Sequence, residues 1–153
     1  MLHYKAKFEE VTSLIPNWKW VELKFGLLNY YLSEKEIINY ANQLLDSEVE
    51  CWDQVVQLAI ADEEEVDGLL DELILHEEEI DEQMIESKWI FAFVYHAFNY
   101  LTTSMYSIIE DVYDEFNYPD EIKSLVYYMP CEDGVPIEEK LKMYIDENCE
   151  KWH

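Results

Sequence analysis

Arginine does not occur in this chain, and all ten basic residues are lysines. The planar guanidinium is the preferred group for bidentate contact with phosphate. Its absence removes the commonest means of holding nucleic acid. Ten lysines stand against 35 aspartates and glutamates, giving a formal net charge of −25 over 153 residues. A surface of that sign repels DNA, RNA and anionic membranes. Its natural complement is a cationic protein. Glycine and proline are scarce, three and four in number, and so few breakers favour helices. Three cysteines, Cys51, Cys131 and Cys149, are odd in number and form no CxxC pair. They read as free thiols in a reducing compartment. The segment Met1-Leu2-His3-Tyr4-Lys5-Ala6-Lys7 lacks the apolar stretch of a secretory signal. The most apolar run, residues 89–98, falls short of the ~20 residues needed to span a bilayer. The expectation is a soluble cytoplasmic protein that binds neither membrane nor nucleic acid.

Half of the residues are hydrophobic and 15% are aromatic, too many for a disordered acidic chain. A single domain over residues 1–153 is expected, all-α, with about seven or eight helices. A short helix over residues 4–15 closes at Pro16. Asn17 is placed to cap a second, from Trp18 to Leu32, apolar on two faces and therefore central. Gly26 inside it suggests the close approach of a neighbour. Ser33-Glu34-Lys35-Glu36 is a capping box, opening a helix with Ile37, Ile38, Ala41, Leu44 and Leu45 on one stripe. Trp52, Val55, Val56, Ala59 and Ile60 repeat that spacing, as do Val66, Leu69, Leu70, Leu73 and Ile74. Residues 89–98 form the buried central helix. Ile108, Ile109, Val112, Tyr113 and Phe116 mark the next. Pro119 ends it or starts a helix with Ile122, Leu125, Val126 and Met129, stopped at Met129-Pro130. Asp133-Gly134 turns the chain, and Pro136 opens a last helix with Ile137, Leu141, Tyr144 and Ile145. No stretch alternates with period two, so no sheet is expected.

Between Lys35 and Lys88 there is no basic residue, while residues 36–87 carry 18 carboxylates. They are densest at Asp62, Glu63, Glu64 and Glu65, and again at Glu77, Glu78, Glu79, Asp81 and Glu82. Like charges three and four apart on a helix repel. The plain reading of such a run is a solvated face. The functional reading is a docking face for a basic protein, and these nine residues are its candidates.

Catalytic and metal-binding patterns fail on inspection. A calcium loop begun at Asp62 would have Val66 at its fifth position and Asp67 at its sixth, where glycine is required. Glu72 and His76 are four apart, not the Glu-x-x-His of a di-iron bundle, and no second copy exists. His96, beside Tyr95 and near Asn99 on the apolar helix, reads as a satisfied core histidine, because no nucleophile motif accompanies it. No GxSxG, P-loop, GxGxxG or HExxH sequence is present. No catalytic residue, metal or cofactor is expected. Tyr118, Tyr127, Tyr128 and Trp152 fall at helix ends, where an aromatic can anchor a partner, although packing in the core is the plainer reading.

Several local patterns together resemble a bacterial family catalogued as domain of unknown function 2247. They are Trp20 to Gly26, Ile37-Ile38-Asn39-Tyr40-Ala41, and above all Phe116-Asn117-Tyr118-Pro119-Asp120-Glu121-Ile122 running on to Tyr127-Tyr128-Met129-Pro130. Asn117 stands where the pattern has an acidic residue. The resemblance implies a small helical bacterial protein, of a kind associated with polymorphic toxin loci as immunity factors, and carries over no catalytic residue. The expected function is an acidic immunity protein that neutralises a basic toxin. The alternatives are an acidic mimic of nucleic acid that regulates a DNA-binding protein, and an enzyme with carboxylate or metal chemistry.

Overall fold

A computed structural model describes residues 2–126 and 134–152. The fold class is all-α. Among the described residues the helices are α1 (Phe8–Leu14), α2 (Trp20–Leu28), α3 (Glu34–Leu44), α4 (Trp52–Ala59), α5 (Val66–Ile74), α6 (Glu82–Tyr100), α7 (Met105–Glu115) and α8 (Ile137–Trp152). Two 3₁₀ helices, Glu63–Glu65 and Asp120–Leu125, precede α5 and follow α7. No described residue lies in a strand. Tyr127, Tyr128, Met129, Pro130, Cys131 and Asp133 lie outside the described residues, and with them the expected helix stop and the first half of the expected turn.

By its contacts the chain divides into two compact units. The first comprises residues 7–9 and Trp18–Asp81. Here α3, α4 and α5 pack on one another and α2 packs on α5. Leu23, Ile37, Ala41, Val55, Leu58, Val66 and Leu70 are sealed from solvent. Phe8, Trp18, Trp20 and Tyr40 meet edge to face, with centroids 5.5–5.8 Å apart. The capping box opens α3 as expected: Ser33 N–H donates to Glu36 Oε1 at 3.0 Å and Glu36 N–H to Ser33 Oγ at 3.3 Å.

The second unit comprises the described parts of residues 1–6, 10–17 and 82–153. Its axis is α6, apolar on nearly every side from Lys88 to Val94, which α7 and α8 flank. Phe93 is 1% exposed and touches the rings of Tyr4, Trp89 and Phe116. Lys88 is buried with this helix, and its ammonium donates to the carbonyl of Asn17 at 2.7 Å.

Several element boundaries depart from expectation, among them that of α6, which begins at Glu82, seven residues before the apolar run. The first helix starts at Phe8 rather than Tyr4. The N–H groups of His3 and Tyr4 go instead to one carboxylate oxygen of Asp111, at 2.9 and 3.1 Å. The second starts at Trp20, past Asn17, and stops at Leu28. Tyr30 then turns left-handed (φ 63°), and Tyr31 N–H closes onto the Gly26 carbonyl at 2.8 Å, the bond pattern that ends many helices. After Pro119 the chain makes only the 3₁₀ helix Asp120–Leu125, with Ile122, Leu125 and Val126 buried.

Candidate functional site

The acidic run is laid out around α5. Asp62 precedes the 3₁₀ turn Glu63–Glu65, and Glu65 reaches back to accept the Asp62 N–H at 3.3 Å. These four carboxylates gather at the helix's positive end, where the macrodipole favours them. Glu77, Glu78, Glu79 and Asp81 follow the other end. A nine-residue helix is roughly 13 Å long, so α5 separates the two groups. Glu82 begins α6 in the other unit. All nine candidates are exposed except Glu77, which is half-buried.

Glu77 is turned to a structural task. Its two oxygens accept the N–H groups of Trp20 and Val21, both at 2.9 Å. Those donors begin α2 and have no partner within their own helix. Sequence reasoning also missed Lys24, which projects from α2 to α5, donates to Asp67 and lies 3.2 Å from Asp71. Burial disfavours the ammonium, but the hydrogen bonds and charges of Asp67 and Asp71 outweigh it and raise Lys24 above the ordinary lysine value. Part of the acidic run is therefore balanced from outside the run.

A second candidate lies in the α6 unit. A cleft of about 300 Å³ is lined by Glu86, Ile90, Phe116, Pro119, Asp120 and Glu121. The Phe116-to-Glu121 stretch makes its wall through a sharp reversal. Asn117 and Tyr118 are both left-handed (φ 61° and 60°), and Tyr118 N–H bonds the Tyr113 carbonyl at 2.8 Å. The conformation costs roughly 1–2 kcal/mol at Tyr118, whereas asparagine adopts it more readily. Tyr118 remains 56% exposed, with its hydroxyl on Asp114 at 3.0 Å. Desolvation, with the charges of Glu82 and Glu121 added, raises the Glu86 carboxyl above its ordinary range. Ser87 donates its hydroxyl to Glu121 at 3.1 Å. Such a cleft can accept a cationic group or hold a proton. No periodicity in the sequence marked it.

His96 is 2% exposed. Its Nδ1 bonds the Tyr4 hydroxyl, its Nε2 lies 2.9 Å from Glu10 Oε1, and its ring stacks on Tyr100. Burial, then the charge of Glu10, raises Tyr4 well above the ordinary phenol value. Both ring nitrogens are occupied, and the phenol is held neutral. The arrangement ties Tyr4 and Glu10 to α6. Among the described residues, no group of three or more His, Cys, Asp or Glu side chains is placed to hold a metal ion. No helix there is long and apolar enough to cross a membrane. Cys51 and Cys149 are half-buried free thiols.

A family model described as an uncharacterized protein conserved in bacteria (DUF2247) matches residues 8–152. No curated protein and no solved structure matches the chain.

Proposed function

We propose that this chain, which belongs to the bacterial family DUF2247, is a protein-binding module that neutralises a basic toxin. The observation that carries the reading is the exposure of Asp62, Glu63, Glu64, Glu78 and Glu79 around α5, while Lys24 is engaged with Asp67 and Asp71. Carboxylates held in solvent at a net charge of −25 attract a cationic protein before contact. Such steering raises association rates and is screened over about 8 Å at physiological salt. Toxin domains that act on nucleic acid are themselves basic, and an acidic partner covering that surface blocks substrate entry.

The test is co-expression with toxins encoded at the same locus, followed by association kinetics. Wild type should protect cells, and its association should slow steeply with salt while dissociation changes less. Changing Glu63, Glu64, Glu78 and Glu79 together to Gln should reproduce the slowing at low salt. Equal rates for the two proteins would eliminate these carboxylates as the docking groups. Failure to protect against every neighbouring toxin would count against immunity itself.

The cleft at Glu86, Asp120 and Glu121 favours one other reading, an enzyme using carboxylate acid–base chemistry. Burial and the charges of neighbouring carboxylates raise Glu86, and a raised carboxyl in a cleft is suited to general-acid work. Under that reading, Glu86→Gln and Glu121→Gln would abolish toxin-independent turnover. Under the docking reading both variants protect cells as wild type does.

A further inference from the structure

We propose that the end of the α2–α5 unit bearing Leu28, Tyr30 and Ile60 is the contact point of the acidic docking surface. Its occupant is a cationic segment of a partner protein with an apolar side chain at its centre. The proposal rests on the docking reading above and locates it. The geometry follows from the pairing of α2 with α5. Trp20 and Val21, at the start of α2, bond Glu77, just past the end of α5. Lys24, one turn later, meets Asp71 and Asp67. As α2 advances, α5 runs back toward its own start, so the two helices are antiparallel. Leu28, four residues beyond Lys24 and on the same face, therefore lies toward the start of α5, which Glu63 and Glu64 precede. Ile60 ends α4 and leads directly into that acidic turn.

Three large apolar side chains are thus open to solvent at one end of the unit, Leu28 64%, Tyr30 81% and Ile60 78% exposed. Asp62, Glu63 and Glu64, all exposed, follow Ile60 in the chain and supply the acidic rim of the proposed contact. An apolar centre within a polar rim is the anatomy of a binding hot spot, with tyrosine among its favoured anchors. Tyr30 is held out in left-handed backbone (φ 63°) at the α2 terminus, a position that glycine fills more cheaply. Charge selects the occupant. A second copy of this chain would set one acidic rim against another, whereas a lysine- or arginine-flanked apolar residue satisfies both the rim and the centre.

Two short synthetic peptides test this on the full-length chain, one alternating Lys with Leu and one alternating Lys with Ser. Calorimetry at low salt should show the Lys–Leu peptide binding about tenfold tighter or more, a difference of about 1.4 kcal/mol. Its amide shift changes should centre on Leu28, Tyr30, Ile60 and Glu63. The double change Tyr30→Gly and Ile60→Ser should remove the preference and leave weak, salt-sensitive binding of both peptides, with the fold intact by circular dichroism. Equal, salt-sensitive affinities for the two peptides in wild type would overturn this contact point while leaving acidic docking standing. So would shifts centred elsewhere, or a preference that survives the double change. Absence of salt-sensitive binding by either peptide would sink the docking reading and this inference with it.

Discussion

Glu77 and Glu78 are adjacent carboxylates with different physical roles. Glu77 satisfies two otherwise orphaned N–H groups at the start of α2, whereas Glu78 is exposed. Charge-assisted capping bonds are worth more than surface charges. Glu77→Ala should therefore lower stability by about 1–2 kcal/mol in urea titration, and Glu78→Ala should stay within about 0.5 kcal/mol. Similar losses for both would show that the α2 cap is carried by other groups. Glu86 gives a pH-dependent case. Its folded-state carboxyl titrates above the ordinary value, through desolvation first and the charges of Glu82 and Glu121 second. Between the unfolded and folded values the folded state keeps a proton that the unfolded state has lost, so stability falls as pH rises through that interval. The penalty persists above it. Glu86→Gln should accordingly raise Tm at neutral pH and leave it unchanged well below the ordinary carboxylate range. A lower Tm at neutral pH would mean that the ionised carboxylate is a net stabiliser.

At the scale of elements, α6 and α5 illustrate opposite degrees of burial. From Lys88 to Val94 helix α6 is buried on every side, and a stretch apolar on most sides is stable only inside. Replacing Phe93 by Ala should cost about 3–5 kcal/mol, the range for a buried aromatic. A loss under about 1 kcal/mol would place Phe93 at the periphery. Helix α5 buries one stripe, Val66, Leu70 and Leu73, and exposes Gly68 in its interior. A Cβ there would meet no atom within 4 Å. Gly68→Ala should thus stabilise by about 0.5–1 kcal/mol, the helix penalty of glycine, and calorimetric unfolding would register it. No gain would mean that another interaction of the α5 turn is lost. Helix α2 is less buried than its pattern implies. Its two apolar faces pointed to a central position, yet Leu28 is largely exposed and Val21, Phe25 and Leu27 are half-buried. Periodicity reports which faces are apolar, but not whether a neighbour arrives to cover each one.

For the whole molecule, charge dominates. A net −25 strains the folded state by self-repulsion, because folding concentrates the carboxylates that the unfolded chain spreads apart. Raising monovalent salt from low to physiological strength should raise Tm, since screening then acts over about 8 Å. The variant with Glu63, Glu64, Glu78 and Glu79 changed to Gln should show a smaller salt effect and a Tm no lower than wild type. A Tm insensitive to salt would mean that self-repulsion contributes little to the stability of the folded state.

What the sequence determined by itself is the local physics. The 3.6-residue spacing of apolar side chains specified helices. The Ser33–Glu36 box fixed the start of α3 within four residues, and the unbroken apolar run of α6 announced the buried axis of its unit. Each of these depends on neighbours a turn or two away. The tertiary structure decided what depends on the chain's return. Glu77 caps the start of α2 from 57 residues away, and Lys24 reaches Asp67 across 43. The Asn117–Tyr118 reversal brings Asp120 and Glu121 to the wall of a cleft shared with α6. The sequence showed that an acidic run existed. Only folding divided it among capping carboxylates, paired carboxylates and those left in solvent, because a carboxylate's role is set by the donors that arrive within hydrogen-bonding distance, and local periodicity does not encode those arrivals.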